Sequence, residues 1–321
     1  MTDLERPADE NSALLPRQRT MTSAELRGYV LMAASALGFA TNSACVKALA
    51  LSGLPALEIV LLRSVLQLTL GLFGCLAHGA NPLGPHDPRA FRWLVARGFF
   101  GAFGNACFFY AVTAMPLADA TVVFFTGPVF SALFASLLLH EPYDFFDRLL
   151  SALGLSGIVL VVRPRVLFGG NGGGTDGGQV AWGTAAALVG AMSGALAYCA
   201  VRKAGSSVHA MVHVVWFGVL SLLGSSLALY VTGGARWPSG SYEWCVAGLL
   251  GLSAFMGQAL LNRGLQLVPA GPGMLVRNLD VVFAFAFGVL VFGEQTGLLP
   301  VVGALVIVLS TVAMGVRKWT A

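Results

Sequence analysis

The stretch "VVGALVIVLSTVAMGV", Val301 to Val316, decides the fold. Its apolar side chains lie on every face, without the in-out alternation over roughly ten residues that a transmembrane β-strand requires. A helix that is hydrophobic all round belongs in a large core or in a bilayer. The remainder of the chain selects the bilayer. Of its 321 residues 56% are hydrophobic and only 11% charged, which leaves too little polar surface to dissolve so much Leu, Val, Ala and Gly.

A hydrocarbon layer about 30 Å thick takes roughly 20 apolar residues per helix. Ten blocks of that kind occur, at residues 28–50, 55–78, 91–114, 117–140, 145–163, 180–203, 208–232, 243–266, 270–293 and 297–317. The expected fold is therefore all-α integral membrane, with ten transmembrane helices. Residues 1–27 form a polar N-terminal tail with no apolar region and cleavage site of a removable signal, so the first helix is expected to direct insertion. Cys45, Cys75, Cys107, Cys199 and Cys245 all fall in expected helices, without zinc-site spacing or the even count of a disulfide framework.

Lys and Arg set the orientation. With the N-terminus cytoplasmic, twelve lie on the inner side (Arg6, Arg17, Arg19, Arg27, Arg89, Arg92, Arg148, Arg202, Lys203, Arg263, Arg317 and Lys318) and four on the outer (Lys47, Arg163, Arg165 and Arg236). Both termini are then expected in the cytoplasm, in a plasma membrane or an endomembrane. "ENSALL", Glu10 to Leu15, fits an acidic dileucine sorting pattern; no N-x-[ST] acceptor occurs, and "KWTA" is not a retrieval signal.

The chain is also duplicated. A shift of 153 residues pairs Gly98 with Gly251, Gly104 with Gly257, Pro116 with Pro269, Phe130 with Phe283, Phe134 with Phe287 and Glu141 with Glu294. Between the halves, residues 164–179 are a glycine-rich linker, without the G-K-[ST] of a phosphate loop. The halves, 28–163 and 180–317, hold five helices each. An odd number makes the second half enter from the opposite side, which is the inverted repeat of secondary transporters.

"YAVTAMPLADATVVFFTGPVFSALFASLLLHE" (Tyr110 to Glu141), "GIVLVVRP" (Gly157 to Pro164) and "LDVVFAFAFGVLVFGE" (Leu279 to Glu294) resemble the drug/metabolite transporter superfamily of EamA type. The G-type subgroup of the solute carrier 35 family is the nearest likeness. The resemblance implies two EamA repeats around a central cavity, with the fifth and tenth helices peripheral. It names no solute, because fold is a poor guide to cargo.

Charges at membrane depth mark the candidate site. Arg277 and Asp280 are three apart on one helix face and can neutralise each other. At roughly 1.5 Å per residue they lie about 10 and 15 Å deep, where an unpaired charge costs about 2.5 to 3.5 kcal/mol. They form either a structural ion pair or substrate contacts beside Asn278, and the equivalent positions Phe124 and Gly127 show that the pair is no part of the repeat. Arg63, with Gln67 one turn on, serves either carbonyls of the bundle or the solute. Arg97 is shallow enough to snorkel.

Asn105 and Gln258 occupy matched positions suited to a polar chamber or to interhelical bonds, with Tyr110 and Asn262 as further candidates. Lys47 and Glu58 near outer helix ends are read as snorkelling or as a gate pair. Asp119 opens the fourth helix, where an acid caps amides; Glu141 and Glu294 close the fourth and ninth, where each is expected to cap or pair with a neighbouring loop. His209 and His213 have metal-pair spacing but no third ligand. Gly98, Gly101, Gly104, Gly190 and Gly194 let helices approach closely.

These readings point to a secondary transporter for a small polar metabolite. The excess of Arg63, Arg97 and Arg277 over Asp280 favours organic anions, ahead of nucleotide sugars and amino acids. No cofactor or nucleic acid is implied, and a homodimer is among the assemblies open to the chain. An intramembrane transferase would want clustered acids or a nucleophile with its base, which the dispersed acids here do not supply. A non-transporting membrane partner needs no central charge.

Overall fold

The computed structural model describes residues 22–115, 117–141, 143–162, 167, 177–233, 236–293, 295 and 297–320. Its elements are helices: α1 (Ser23–Leu51), α2 (Ala56–Ala77), α3 (Pro88–Ala114), α4 (Leu117–Phe124), α5 (Gly127–Leu139), α6 (Phe145–Val162), α7 (Gly177–Ala204), α8 (Ala210–Thr232), α9 (Ser241–Leu267), α10 (Ala270–Arg277), α11 (Leu279–Leu290) and α12 (Leu298–Thr320). Among the described residues, nine helical stretches are long and apolar enough to cross a membrane, and Leu298–Met314 is a shorter tenth.

Two departures from the sequence reading have local causes. α1 starts at Ser23 rather than residue 28 because Thr22 and Glu25 form a capping box, Thr22 Oγ1 accepting from Glu25 N at 3.2 Å and Glu25 Oε2 accepting from Thr22 N at 2.9 Å. The fourth and ninth spans, read as continuous, are each broken near the middle. In the fourth, Pro128 has no N–H and its ring clashes with the carbonyl four residues back, so α4 stops at Phe124 and α5 restarts at Gly127. The ninth breaks without proline: Asn278 N–H donates to Leu275 O at 3.1 Å, a tight turn between α10 and α11. The two joints coincide under the 153-residue shift.

Helix pairing carries the same duplication. The most extensive packing is α3 on α7 and α1 on α9, third span against sixth and first against eighth, which exchange when the halves are interchanged. The second span packs on the seventh (α2, α8) and the fifth on the tenth (α6, α12), pairs that map onto themselves. That is the contact pattern of a two-fold relation between halves.

Glycines make three of these crossings. A Cβ on Gly104 of α3 would lie 2.9 Å from Gly190 O of α7, and one on Gly190 2.9 Å from Gly104 O. A Cβ on Gly38 of α1 would lie 3.0 Å from the Cα of Gly257 of α9, the repeat equivalent of that crossing. Gly157 and Gly303 bring α6 and α12 to 2.8 and 2.6 Å on the same measure, each against the other's carbonyl. Without a hydrophobic drive between helices in lipid, such close approach supplies the packing energy.

At the junction before α8, His209 Nδ1 accepts from Met211 N at 3.4 Å and its ring lies 5.2 Å from His78. Partial burial, with His78 and Arg263 adding to it, lowers the His209 pKa. A histidine depressed on folding is protonated more readily in the unfolded chain, so its contribution is complete above the unfolded pKa of about 6.5 and is lost as pH falls below it. Thermal unfolding of the reconstituted protein should shift downward below about pH 6.5. The His209→Asn variant keeps a cap and should flatten that dependence.

Candidate transport site

The two helix joints face one cleft. Phe124, Gly127 and Pro128 line it from the first half, Tyr198 of α7 from the side, and Met274 and Arg277 from the second half. Its free volume is about 20 Å³, room for about one water. Arg277 Nη2 donates to Asp280 Oδ2 at 3.2 Å, with the two side chains 15% and 8% exposed. The guanidinium stands 4.7 Å from the ring of Phe39 on α1 and 5.9 Å from that of Tyr198, two faces of negative quadrupole. Arg277 Nε and Asp280 Oδ1 have no partner, so the pair leaves a donor and an acceptor for something else. Asn278, 2% exposed, places its amide near Gly154 on α6, and its Oδ1 is also unpartnered.

Arg97 departs from the expectation that it snorkels. It is 1% exposed, and its Nη2 donates to Gln258 Oε1 at 2.8 Å across α3 and α9. Its guanidinium lies 5.1 Å from the Phe217 ring, and Gly101 leaves the space: a Cβ there would fall on Arg97 Nη1. Polar hydrogen bonding across helices therefore wins over the reach to water, because the chain end is already sealed by neighbouring helices.

The other sequence candidates divide. Arg63 keeps Nε and Nη2 unpartnered beside Gln67, whose Nε2 is also unpartnered, and Asn262 is fully buried with both amide atoms unpartnered. Asn105 is half-buried and does not meet Gln258, which turns to Arg97. Tyr110 is 52% exposed and so stands outside the buried set. Tyr198 and Phe39 were not singled out from sequence, and the fully buried His213 stood out there only through its spacing from His209. For Tyr198 a signal existed, a lone polar-tipped aromatic in the alanine-rich "SGALAYCAVRK" one turn before Arg202.

Each end of the bundle is tied across the two halves. At the end where α1 starts, His140 takes a left-handed conformation (φ 56°) that closes α5 just before Glu141. Glu141 Oε1 then accepts from Arg202 Nε at 2.6 Å, and Oε2 from the Ala270 N–H that opens α10 at 2.9 Å. Arg317 pairs with Asp144 at 2.9 Å and with the buried Asp147, joining α12 to α6. At the opposite end the gate pair that Lys47 and Glu58 could have made does not form. Glu58 Oε1 accepts from Arg236 N at 3.4 Å, and the Arg236 side chain binds Glu243 at 3.1 Å and Ser52 O at 2.9 Å. Lys47 Nζ stands 4.5 Å from the Phe292 ring. The backbone explains the exchange: the turn before α9 brings an N–H to Glu58 that a lysine one helix away cannot. Asp119 is on α4, with its side chain outside the described residues, as is the whole of Glu294.

The Glu141 contacts give a measurable expectation. Glu141→Ala removes an N-terminal cap from α10 and the partner of Arg202, a loss of about 1 to 2 kcal/mol. The thermal midpoint should fall by several degrees in nanodiscs, and an unchanged midpoint would assign the connection between α5 and α10 to other contacts.

Residues 26–163 and 181–316 match the EamA-like transporter family. The human solute carrier family 35 member G1 is 34% identical over 295 residues, spanning 91% of this chain and 79% of that protein. The pseudopaline exporter CntI of Pseudomonas aeruginosa is 26% identical over 296 residues, spanning 91% and 96%. A probable transport protein of Saccharomyces cerevisiae, YPL264C, is 28% identical over 246 residues, spanning 72% and 69%. A solved crystal structure with 20% identity superposes at a TM-score of 0.72, covering 92% of this chain and 96% of that one, which shows a shared fold.

Proposed function

This chain belongs to the EamA-like transporter family, and from that membership we propose a secondary transporter that carries a small organic anion by alternating access around the Arg277 cleft. It is a multi-pass membrane transporter and not an enzyme, as its family and relatives are. One observation supports the anionic cargo above the others: at membrane depth Arg63, Arg97 and Arg277 face a single described acid of comparable depth, Asp280, and the arginines retain unpartnered donors. Guanidinium forks suit carboxylate and phosphate geometry.

In this reading Arg277 holds the anion and Asp280 holds Arg277, with Tyr198 and Phe39 shaping the cleft. Asn278, next to the pair, supplies a further unpartnered polar group. The moving bodies are not the sequence halves 28–163 and 180–317, since the strongest pairings run between them. They are mixed bundles, the first, eighth and ninth spans against the third, fourth and sixth, each contributing one broken helix to the cleft. Both termini face the cytoplasm, following the excess of Lys and Arg there. The Glu141–Arg202 tie and the Arg236 tie close opposite mouths.

Proteoliposomes holding the full chain and a panel of labelled organic anions, amino acids, nucleotide sugars and organic cations test this. Uptake or exchange confined to the anions is expected. Selectivity for cations would overturn the anionic reading, chemical conversion of a labelled compound would make the chain an enzyme, and the absence of any flux across the panel would leave a scaffold.

A further inference from the structure

We infer that Arg97, His213 and Gln258 form a second anion site, separate from the Arg277 cleft, that binds a small inorganic anion of the halide class. The site is built from three helices, α3, α8 and α9, and its polar groups are nearly all donors. Arg97 offers five N–H groups and no acceptor. One of them is taken by Gln258 Oε1 at 2.8 Å, which leaves the Gln258 amide N–H groups as further donors, and Arg97 Nε has no partner. His213 lies one helical turn before Phe217, whose ring faces Arg97, is fully buried, and has no partner at either ring nitrogen, one of which carries a proton in any tautomer.

Charge balance makes the assignment specific to an anion. None of the described carboxylates lies within ion-pair distance of Arg97, whereas each of Arg202, Arg236, Arg277 and Arg317 has one. A guanidinium held out of water without a counter-charge costs several kcal/mol, and a negative ion seated on unpartnered donors removes that cost. The Phe217 face at 5.1 Å cannot substitute, because it binds one side of the cation and satisfies no N–H. Size follows from enclosure. With Arg97 at 1% and His213 at 0% exposure, and Gly101 filled by the guanidinium itself, the surroundings suit a monatomic ion better than a metabolite.

Purified full chain in nanodiscs provides the test, with chloride, bromide and iodide compared against gluconate at fixed ionic strength. Wild type should show a saturable rise in thermal midpoint with halide, and radioactive chloride should bind at one site per chain. Arg97→Gln keeps an amide opposite Gln258 and should weaken chloride by about 10- to 100-fold, as the loss of charge-assisted hydrogen bonds does. His213→Phe keeps an aromatic ring without the ring nitrogens and should weaken it less, which gives a second variant should the first fail to fold. Arg277→Ala should keep the halide response in full while losing solute uptake, so the second site and the proposed cargo site fail separately. A wild type indifferent to halide, a halide response unchanged in both Arg97→Gln and His213→Phe, or one abolished by Arg277→Ala and retained in Arg97→Gln would each overturn the assignment.

Discussion

Arg277→Ala should reduce anion transport to background, a loss of at least about 100-fold, and should also lower the yield of folded protein. The two effects have different origins. Transport falls because the guanidinium is the cleft's only described cation and its hydrogen bonds to a carboxylate or phosphate are charge-assisted. Folding weakens because Asp280, 8% exposed, is left as an unpaired charge at membrane depth, and breaking a buried pair costs about 3 to 5 kcal/mol. The double variant Arg277→Ala with Asp280→Asn separates them, since it removes both charges. Its yield should recover while its transport stays at background. Normal transport by that double variant would reduce the pair to packing and remove Arg277 from the mechanism.

The second large effect lies far from the cleft. Gly303→Val should abolish folded protein, because even the first carbon of a side chain would sit 2.6 Å from Gly157 O and 2.8 Å from Val161 N. Backbone atoms cannot step aside as a side-chain tip can, so α6 and α12 must separate, and overpacking of this kind exceeds about 3 kcal/mol. Gly157→Val should behave alike, meeting Gly303 O at 2.8 Å. Gly224→Ala and Gly248→Ala are the controls: a Cβ at either meets nothing within 4 Å, and alanine is the better helix former by about 1 kcal/mol. Size-exclusion profiles of the four variants decide the matter; a wild-type profile for Gly303→Val would mean that the crossing is looser than the two glycines indicate.

Much of the fold was legible in the sequence because its signals are one-dimensional. Apolar block length gave the ten spans, and the 153-residue shift gave the duplication. The broken spans were half legible: Pro128 sits in plain view within "FFTGPVF", but the turn at Asn278 depends on one tight hydrogen bond that no residue type demands. Site residues were harder. The pairing of Arg277 with Asp280 was legible from charge and spacing, whereas Arg97 looked shallow because depth along a helix says nothing about which neighbours close over it. Its partner Gln258 is 161 residues away. Glu58 found Arg236 rather than Lys47 through a backbone N–H, a donor that every residue but proline carries and that composition therefore cannot flag.

The cross-pairing of α1 with α9 and of α3 with α7 bears on how the protein is made. Translation delivers α1 and α3 to the bilayer long before either partner exists, so the glycine faces at Gly38 and Gly104 are first presented to lipid rather than to protein. A nascent chain stopped after α6 has every span of its half and few of its native neighbours. The first half therefore completes its main helix contacts only once the C-terminal half has been inserted.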